Sequence, residues 1–153
     1  MKKRMLYGAL ALLGGVMILR NKQQPRGIRN NNPLNIRVSG DNWQGATGDD
    51  GSFVQFDSPV KGVRAGARIL KNYRDKYGLD SVSGIISRWA PPLENDTASY
   101  IKSVAKKVLV DENQPLSDSD YPNLIRAMIY HENGVQPYEP DIINQGFNEG
   151  FYT

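Results

Sequence analysis

The chain has 153 residues, 39% of them hydrophobic and 23% charged, a composition typical of a globular protein with a real core. It contains no cysteine, which excludes disulfides and thiolate metal sites. Residues 1–22 carry five cations and no acid against a formal net charge of +3, so residues 23–153 carry a net charge of −2. No basic patch alternates with aromatic residues, and the sequence therefore predicts no nucleic-acid partner.

The N-terminal segment has the pattern of a membrane anchor. Three cations at positions 2–4 precede an uncharged run over residues 5–19, and Arg20 and Lys22 end it. As a helix the run would span about 22 Å, less than the ~30 Å hydrocarbon core of a bilayer. A basic start and an apolar middle are typical of a signal peptide, but no convincing small-x-small cleavage site precedes Arg20. We expect an uncleaved anchor or signal-anchor over residues 1–22, with a core helix of a soluble fold as the alternative.

A linker and a small β region are predicted next. Residues 23–29 are polar, contain Pro25 and Gly27 and are expected to connect the anchor to one domain over residues 30–153. Three asparagines followed by Pro33 predict a turn. Short strands are expected over residues 34–38 and 52–56, separated by a loop rich in Gly and Asp. This predicts a loop-rich β region and not a large sheet.

Four amphipathic helices are predicted after the β region. Each has a polar capping residue ahead of an apolar stretch with helical period, as in Ser58-Pro59 at the start of the first helix. The predicted helices cover residues 58–77, 81–89, 95–108 and 119–133. Residues 135–153 are expected to form a tail that packs through Tyr138, Phe147 and Phe151. The fold class predicted is α+β, mainly α.

The end of the fourth predicted helix contains the strongest functional signal. Glu132 continues the apolar face of Met128 and Ile129, and Gly134 ends the helix two residues later. Carbonyl groups at a helix C-terminus and an apolar surrounding both favour the protonated form of a carboxylic acid. A proton held near neutral pH is what a general acid needs to cleave a glycosidic bond.

Three motifs in a fixed order resemble a known group of proteins. The first is Arg26–Arg37 followed by an aromatic, glycine-containing stretch to Phe56, the second is Trp89–Thr97 with Tyr100, and the third is His131–Gly134. Together they resemble small phage and prophage proteins described as virion structural or peptidoglycan-degrading proteins, over roughly residues 26–140. More remotely they resemble the lysozyme-like lytic transglycosylase superfamily. There the catalytic Glu helix precedes the β region; here it follows, as in a circularly permuted chain.

The resemblance implies an activity and a site. It implies a lysozyme-like helical domain that cleaves the MurNAc–GlcNAc bond of peptidoglycan as a lytic transglycosylase, with Glu132 as the catalytic acid and no cofactor. Substrate-binding residues are expected to hold N-acetyl groups or stack on sugar faces, although each also fits a structural role: Asn35, Trp43, Tyr100 and Tyr138. His131 is the only histidine and is expected at the rim, and no metal site is expected.

Several alternatives remain open from the sequence. A muramidase would pair Glu132 with a second carboxylate, for which the candidates are Asp49, Asp50, Asp57, Glu94 and Asp141. A second alternative is a catalytically inactive virion structural or murein-binding module, and a third is a membrane-tethered interaction domain with no glycan role. The partners expected are peptidoglycan glycan strands, the membrane through residues 5–19, and other virion proteins. The expected location is a membrane-anchored state facing the periplasm, as in endolysins of the signal-anchor type, or the virion.

Overall fold

Residues 24–153 are described by a computed structural model, and the anchor predicted over residues 1–22 lies outside them. The described part contains a two-stranded sheet and six α-helices, which confirms the α+β, mainly α class. None of the helices described is both long and apolar enough to cross a membrane. The elements in chain order are α1 (Arg26–Arg29), β1 (Ala46–Asp49), β2 (Val54–Phe56), α2 (Pro59–Tyr77), α3 (Val82–Trp89), α4 (Thr97–Val108), α5 (Tyr121–Asn133) and α6 (Pro140–Phe151).

The four predicted helices are confirmed as α2 to α5, and the capping residues of the first three act as expected, whereas Asp120 before α5 makes no side-chain capping hydrogen bond. The Ser58 side chain accepts a hydrogen bond from the backbone N–H of Lys61, and Ser81 and Asp96 accept equivalent bonds at the starts of α3 and α4. These bonds satisfy N–H groups that have no partner inside the helix. Gly134 ends α5 in the left-handed conformation, with φ 71°, which glycine adopts without strain.

The predicted linker over residues 23–29 differs from the structure. It contains helix α1, in which Gly27 and Ile28 are buried. Local sequence gives little sign of a helix of four residues, because so short a helix is stabilised by its surroundings and not by propensity.

The β region also differs from the prediction. Val54–Phe56 is a strand as expected, but its antiparallel partner is Ala46–Asp49, inside the predicted loop. In the stretch 34–38 only Arg37 pairs with the sheet, through an isolated bridge to Phe53. Two backbone hydrogen bonds flank this bridge, from Val54 N–H to Ile36 and from Val38 N–H to Ser52. The buried Asn32 side chain reinforces them, because its amide donates to the carbonyl oxygens of Ile36 and Val54 at 2.9 and 2.8 Å.

The C-terminal tail forms helix α6, which the sequence analysis did not predict. Phe147 and Phe151 are buried, as expected for a packed tail. Two glycines let α6 approach α2 closely: a Cβ at Gly146 would lie 2.6 Å from the Cβ of Val63, and one at Gly150 would collide with the backbone of Arg64. Close packing therefore stabilises a helix that these glycines weaken locally.

Helix α5 runs through the centre of the core. Five of its side chains are fully buried: Tyr121, Leu124, Ile125, Met128 and Ile129. The surrounding helices contribute further fully buried aliphatic residues, among them Leu70, Ile86, Val104 and Ile143. The helix emerges from the core only in its last turn, so the fold presents Glu132 at the edge of a packed and rigid element.

Candidate functional site

Glu132 lies in the wall of an open groove of about 500 Å³. One side of the groove is formed by the segment after Asn32 and by Phe53 of the β region, and the other by α2 and α3 with the loop that follows them. A cleft of this size fits a portion of an extended polymer or a small molecule. Of the predicted site residues, the groove wall contains Asn35, Trp43 and Glu132.

Three side chains from separate parts of the chain donate hydrogen bonds to the Glu132 carboxylate. Trp89 Nε1 and Tyr100 Oη donate to Oε1 at 3.3 and 3.2 Å. Asn35 Nδ2 donates to Oε2 at 3.3 Å. The carboxylate is thus held from the β region, from α3 and from α4 at once, which fixes its position before any ligand binds.

The turn that carries Asn35 is joined directly to the end of α5. Asn133 Nδ2 donates to the carbonyl oxygen of Pro33 at 2.7 Å and to that of Ile129 at 2.9 Å. Asn35 itself has φ 53°, a conformation that Asn tolerates better than most residues. Residues about 100 positions apart are therefore locked together next to the carboxylate.

Trp89 is the site residue that sequence reasoning missed. Its position on the apolar face of α3 predicts a core residue, and its ring does pack edge-on against Tyr73, with centroids 6.3 Å apart. It is nevertheless the last residue of α3 and lines the groove. The available signal was its place two residues before Pro91, because Pro91-Pro92 ends the helix and a side chain at a helix end is partly free of the packed face.

Tyr100 lies behind Glu132 and not in the groove wall. Its side chain is 2% exposed, and the His131 ring stacks on it with centroids 3.7 Å apart. Burial, and next the neighbouring Glu132 charge, raise the pKa of Tyr100 far above its ordinary value. The hydroxyl therefore keeps its proton and serves Glu132 as a donor, whereas the ring has no free face for a sugar.

The remaining predicted sugar-binding aromatics are placed differently from each other. Trp43 lines the groove, and its indole N–H is buried without a partner in the described part of the chain. Tyr138 is partly buried against the core, and desolvation raises its pKa to about 12. The groove wall does not include it. The structure therefore brings Trp43, but not Tyr138, together with Glu132.

Two other carboxylates line the groove. Glu94 was among the residues predicted as a second catalytic carboxylate, and it lies 3.8 Å from an Arg37 nitrogen in an exposed ion pair. The other is Asp41, which was not predicted. Asp50 is held elsewhere by two bonds from Arg26 and one from Asn30, and the hydrogen bonds from Arg26 hold its pKa well below the usual range. Asp49, Asp57 and Asp141 are not part of the groove wall.

The donors around Glu132 suit acid–base chemistry by one carboxyl group. Within residues 24–153 no group of three or more His, Asp or Glu side chains is placed to hold a metal ion. Of the three donors bonded to Glu132, Asn35 and Trp89 line the groove and Tyr100 does not. A ligand in the groove can therefore exchange a proton with Glu132, and the carboxylates of Asp41 and Glu94 line the same groove.

Comparison with known proteins gives one full-length relative. No protein-family model matches the sequence. Over 159 aligned residues the chain is 48% identical to Protein P5 of Pseudoalteromonas phage PM2, and the alignment covers 99% of each protein. The chain belongs to the family of this phage protein. This agrees with the expectation of a phage protein, and the name of the relative states no activity.

Proposed function

We propose that this protein cleaves the MurNAc–GlcNAc bond of peptidoglycan as a lytic transglycosylase, with Glu132 as its general acid and base. The observation that carries the proposal is the convergence of three sequence motifs on one carboxylate. Asn35 from the first, Trp89 from the second and Glu132 with Asn133 from the third meet at the groove. Motifs that serve only stability would not need to converge on a part-buried carboxylate in the wall of a groove.

The proposed reaction needs one carboxyl group in two successive roles. Protonated Glu132 gives its proton to the glycosidic oxygen as the bond from that oxygen to C1 of MurNAc breaks. The 6-hydroxyl of the same MurNAc then attacks C1, and the Glu132 carboxylate takes the hydroxyl proton. The products are a GlcNAc-ended strand and a 1,6-anhydro-MurNAc end, and Glu132 returns to its acid form without consuming water.

The groove supports a glycan as the ligand. Trp43 and Phe53 line it and offer aromatic surface of the kind that sugar rings contact. Polar side chains from several elements surround them, including Ser39, Asn72 and Asn95. The groove is open rather than enclosed, which suits a polymer that must extend beyond the site on both sides.

The test is the loss of glycan cleavage in Glu132→Gln, a substitution that keeps the shape of the side chain and one acceptor oxygen but has no acidic proton to give. The full chain and the variant are incubated with purified murein, and soluble muropeptides are measured. Because acid–base catalysis contributes about 10²–10⁴-fold, we expect release to fall at least 100-fold. Glu139→Gln is the matched control, since Glu139 is exposed and makes no capping hydrogen bond. Release by Glu132→Gln at the rate of this control would refute the proposal.

A muramidase is the second candidate, and it is favoured by the two further carboxylates in the groove wall. Asp41 or Glu94 would then activate water or form a covalent intermediate opposite Glu132. Hydrolysis adds a water and leaves reducing MurNAc ends, whereas the transglycosylase leaves anhydro ends. The binding-module alternative predicts that the chain sediments with murein and releases nothing.

A further inference from the structure

Two buried amide oxygens next to Glu132 have no hydrogen-bond partner among the described residues. They are Oδ1 of Asn35 and Oδ1 of Asn133. Both lie beside Gly27, within 2.7 Å of the point where a Cβ on that residue would sit. The two oxygens are therefore neighbours in a space closed to solvent. Each forfeits a hydrogen bond there, and two carbonyl oxygens in proximity also repel each other.

Only one of these two amides has a fixed orientation. Asn133 Nδ2 donates to two backbone carbonyl oxygens, those of Pro33 and Ile129, so its nitrogen must stay on that side. The amide of Asn35 is oriented only by the 3.3 Å contact from its Nδ2 to Oε2 of Glu132. A half-turn about its terminal torsion exchanges N and O at little steric cost. The reversed amide would direct Asn35 Nδ2 toward Asn133 Oδ1, and Asn35 Oδ1 toward the Glu132 carboxylate.

The reversed Asn35 amide requires a proton on Glu132. Two oxygens that face each other, Asn35 Oδ1 and Glu132 Oε2, need a hydrogen between them, and only the acid form of Glu132 supplies one. Oε2 is the oxygen able to carry it, because both Trp89 and Tyr100 donate to Oε1. The reversal gives both orphaned amide oxygens a donor, whereas the ionised arrangement leaves both without one.

We propose that Asn35 is a positioning residue that holds the proton on Oε2 of Glu132, with its amide reversed in the acid form. The use of that proton in glycan cleavage rests on the proposed function; the proton's position does not. A glycosidic oxygen that enters the groove replaces Asn35 as the acceptor. Once the proton has left, the amide turns back and Nδ2 donates to the new carboxylate, so one side chain stabilises both catalytic states.

The charged groups that face Glu132 are mixed in sign. Tyr100 on α4 is a neutral donor whose pKa burial raises, and His131 on α5 stacks on the Tyr100 ring. In the described chain no Lys, Arg or His nitrogen lies within 4.0 Å of the Glu132 carboxylate. The groove wall adds three cations and two other acids: Arg37, Lys76, Arg88, Asp41 and Glu94.

The experiment is a carbon-13 NMR titration of the Glu132 carboxyl group in the full chain, compared with Asn35→Gly. Glycine removes the amide and accepts the φ of 53° at this position. Asn31→Gly is the matched control, because Asn31 has φ 52° and its side chain contacts Phe56 instead of Glu132. We expect the half-protonation pH of Glu132 to fall by about 0.5 to 1 pH unit in Asn35→Gly, the size of one lost hydrogen bond.

The direction of the change separates the two arrangements. A rise in the half-protonation pH would show that Asn35 stabilises the carboxylate more than the acid form, and that result or no change would overturn the proposal. The titration needs no catalytic activity, so it tests Asn35 even if the chain releases no muropeptides. In wild type, contacts between the Asn35 amide protons and Gly27 Hα should appear below the midpoint and vanish above it; contacts that stay constant would also overturn the proposal.

Discussion

At the scale of single residues, the site consists of the Glu132 carboxylate and the donor atoms that contact it. The donors are held in place by the residues around them. Tyr100 is fixed by burial and by the stacked ring of His131. Trp89 is fixed by the end of α3 and by its edge contact with Tyr73. The carboxylate therefore has three hydrogen bonds but no ion pair within the described chain, and its position is set by neutral donors.

The Trp89 indole N–H can be tested by Trp89→Phe, which keeps an aromatic ring and removes the donor. A hydrogen bond to a charged group contributes about 1.5–3 kcal/mol. Because part of this energy acts in both the bound and the reacting states, we expect kcat for muropeptide release to fall roughly 10-fold. Tyr73→Phe is the control, since Tyr73 lines the same groove and does not bond to Glu132. An unchanged kcat in Trp89→Phe would show that the Trp89 N–H does not contribute to catalysis.

At the scale of elements, the site is assembled where the β region meets the ends of two helices. Asn133 connects the turn at Pro33 to α5, and Thr97 at the start of α4 donates to the carbonyl oxygen of Ala90 at 2.5 Å. Arg26 on α1 connects to Asp50 in the β1–β2 turn through two hydrogen bonds. The Asn133 and Arg26 contacts join segments far apart in sequence, whereas the Thr97 contact fixes the loop between α3 and α4.

The Arg26–Asp50 connection predicts a pH dependence of stability. The folded-state pKa of Asp50 lies below its unfolded value, so its contribution to stability is complete above about pH 4 and is lost as the pH falls through the folded-state pKa. Asp50→Asn should therefore lower the Tm at pH 7 and should lower it less at pH 3. A difference in Tm from wild type that is equal at the two pH values would contradict this assignment.

The contact between α6 and α2 predicts the effect of Gly150→Ala. In an open helix this change stabilises by about 1 kcal/mol. Here the added methyl group would lie 2.8 Å from Ala67 Cβ and collide with the Arg64 carbonyl oxygen. Overpacking of this kind costs about 1–3 kcal/mol, so we expect a net loss in the free energy of urea unfolding. Asn148→Ala, exposed on the same helix, should change it by less than about 0.5 kcal/mol; a gain in Gly150→Ala would contradict the packing.

The parts of the fold that the sequence predicted are those with local causes. Caps and periodic apolar faces are local, and α2 to α5 were predicted from them together with the position of Glu132 at a helix end. The elements α1, β1 and α6 depend on distant contacts: α1 is too short to form alone, β1 is exposed throughout, and α6 contains two glycines that only α2 compensates. The contact of Trp89 with Glu132 and the burial of Tyr100 likewise depend on the tertiary packing of the helices, which local sequence does not show.

At the scale of the whole molecule, the chain shares its full length with a phage protein and places three motifs around one groove. The segment that carries Asn35 comes first in the sequence and the helix that carries Glu132 comes late, yet the two lie in direct contact. The arrangement around the carboxylate, rather than the order of the elements, is therefore the basis of the proposed activity.

The most direct test of the central claim is mass spectrometry of the sugars released from purified murein by the full chain, with Glu132→Gln alongside. We predict muropeptides that end in 1,6-anhydro-MurNAc in the wild-type reaction and none above background with the variant. Reducing MurNAc ends would assign the reaction to hydrolysis with a second carboxylate. Anhydro products that persist in Glu132→Gln, or no release from a folded wild-type chain that sediments with murein, would contradict the assignment of Glu132 as the acid of a glycan-cleaving enzyme.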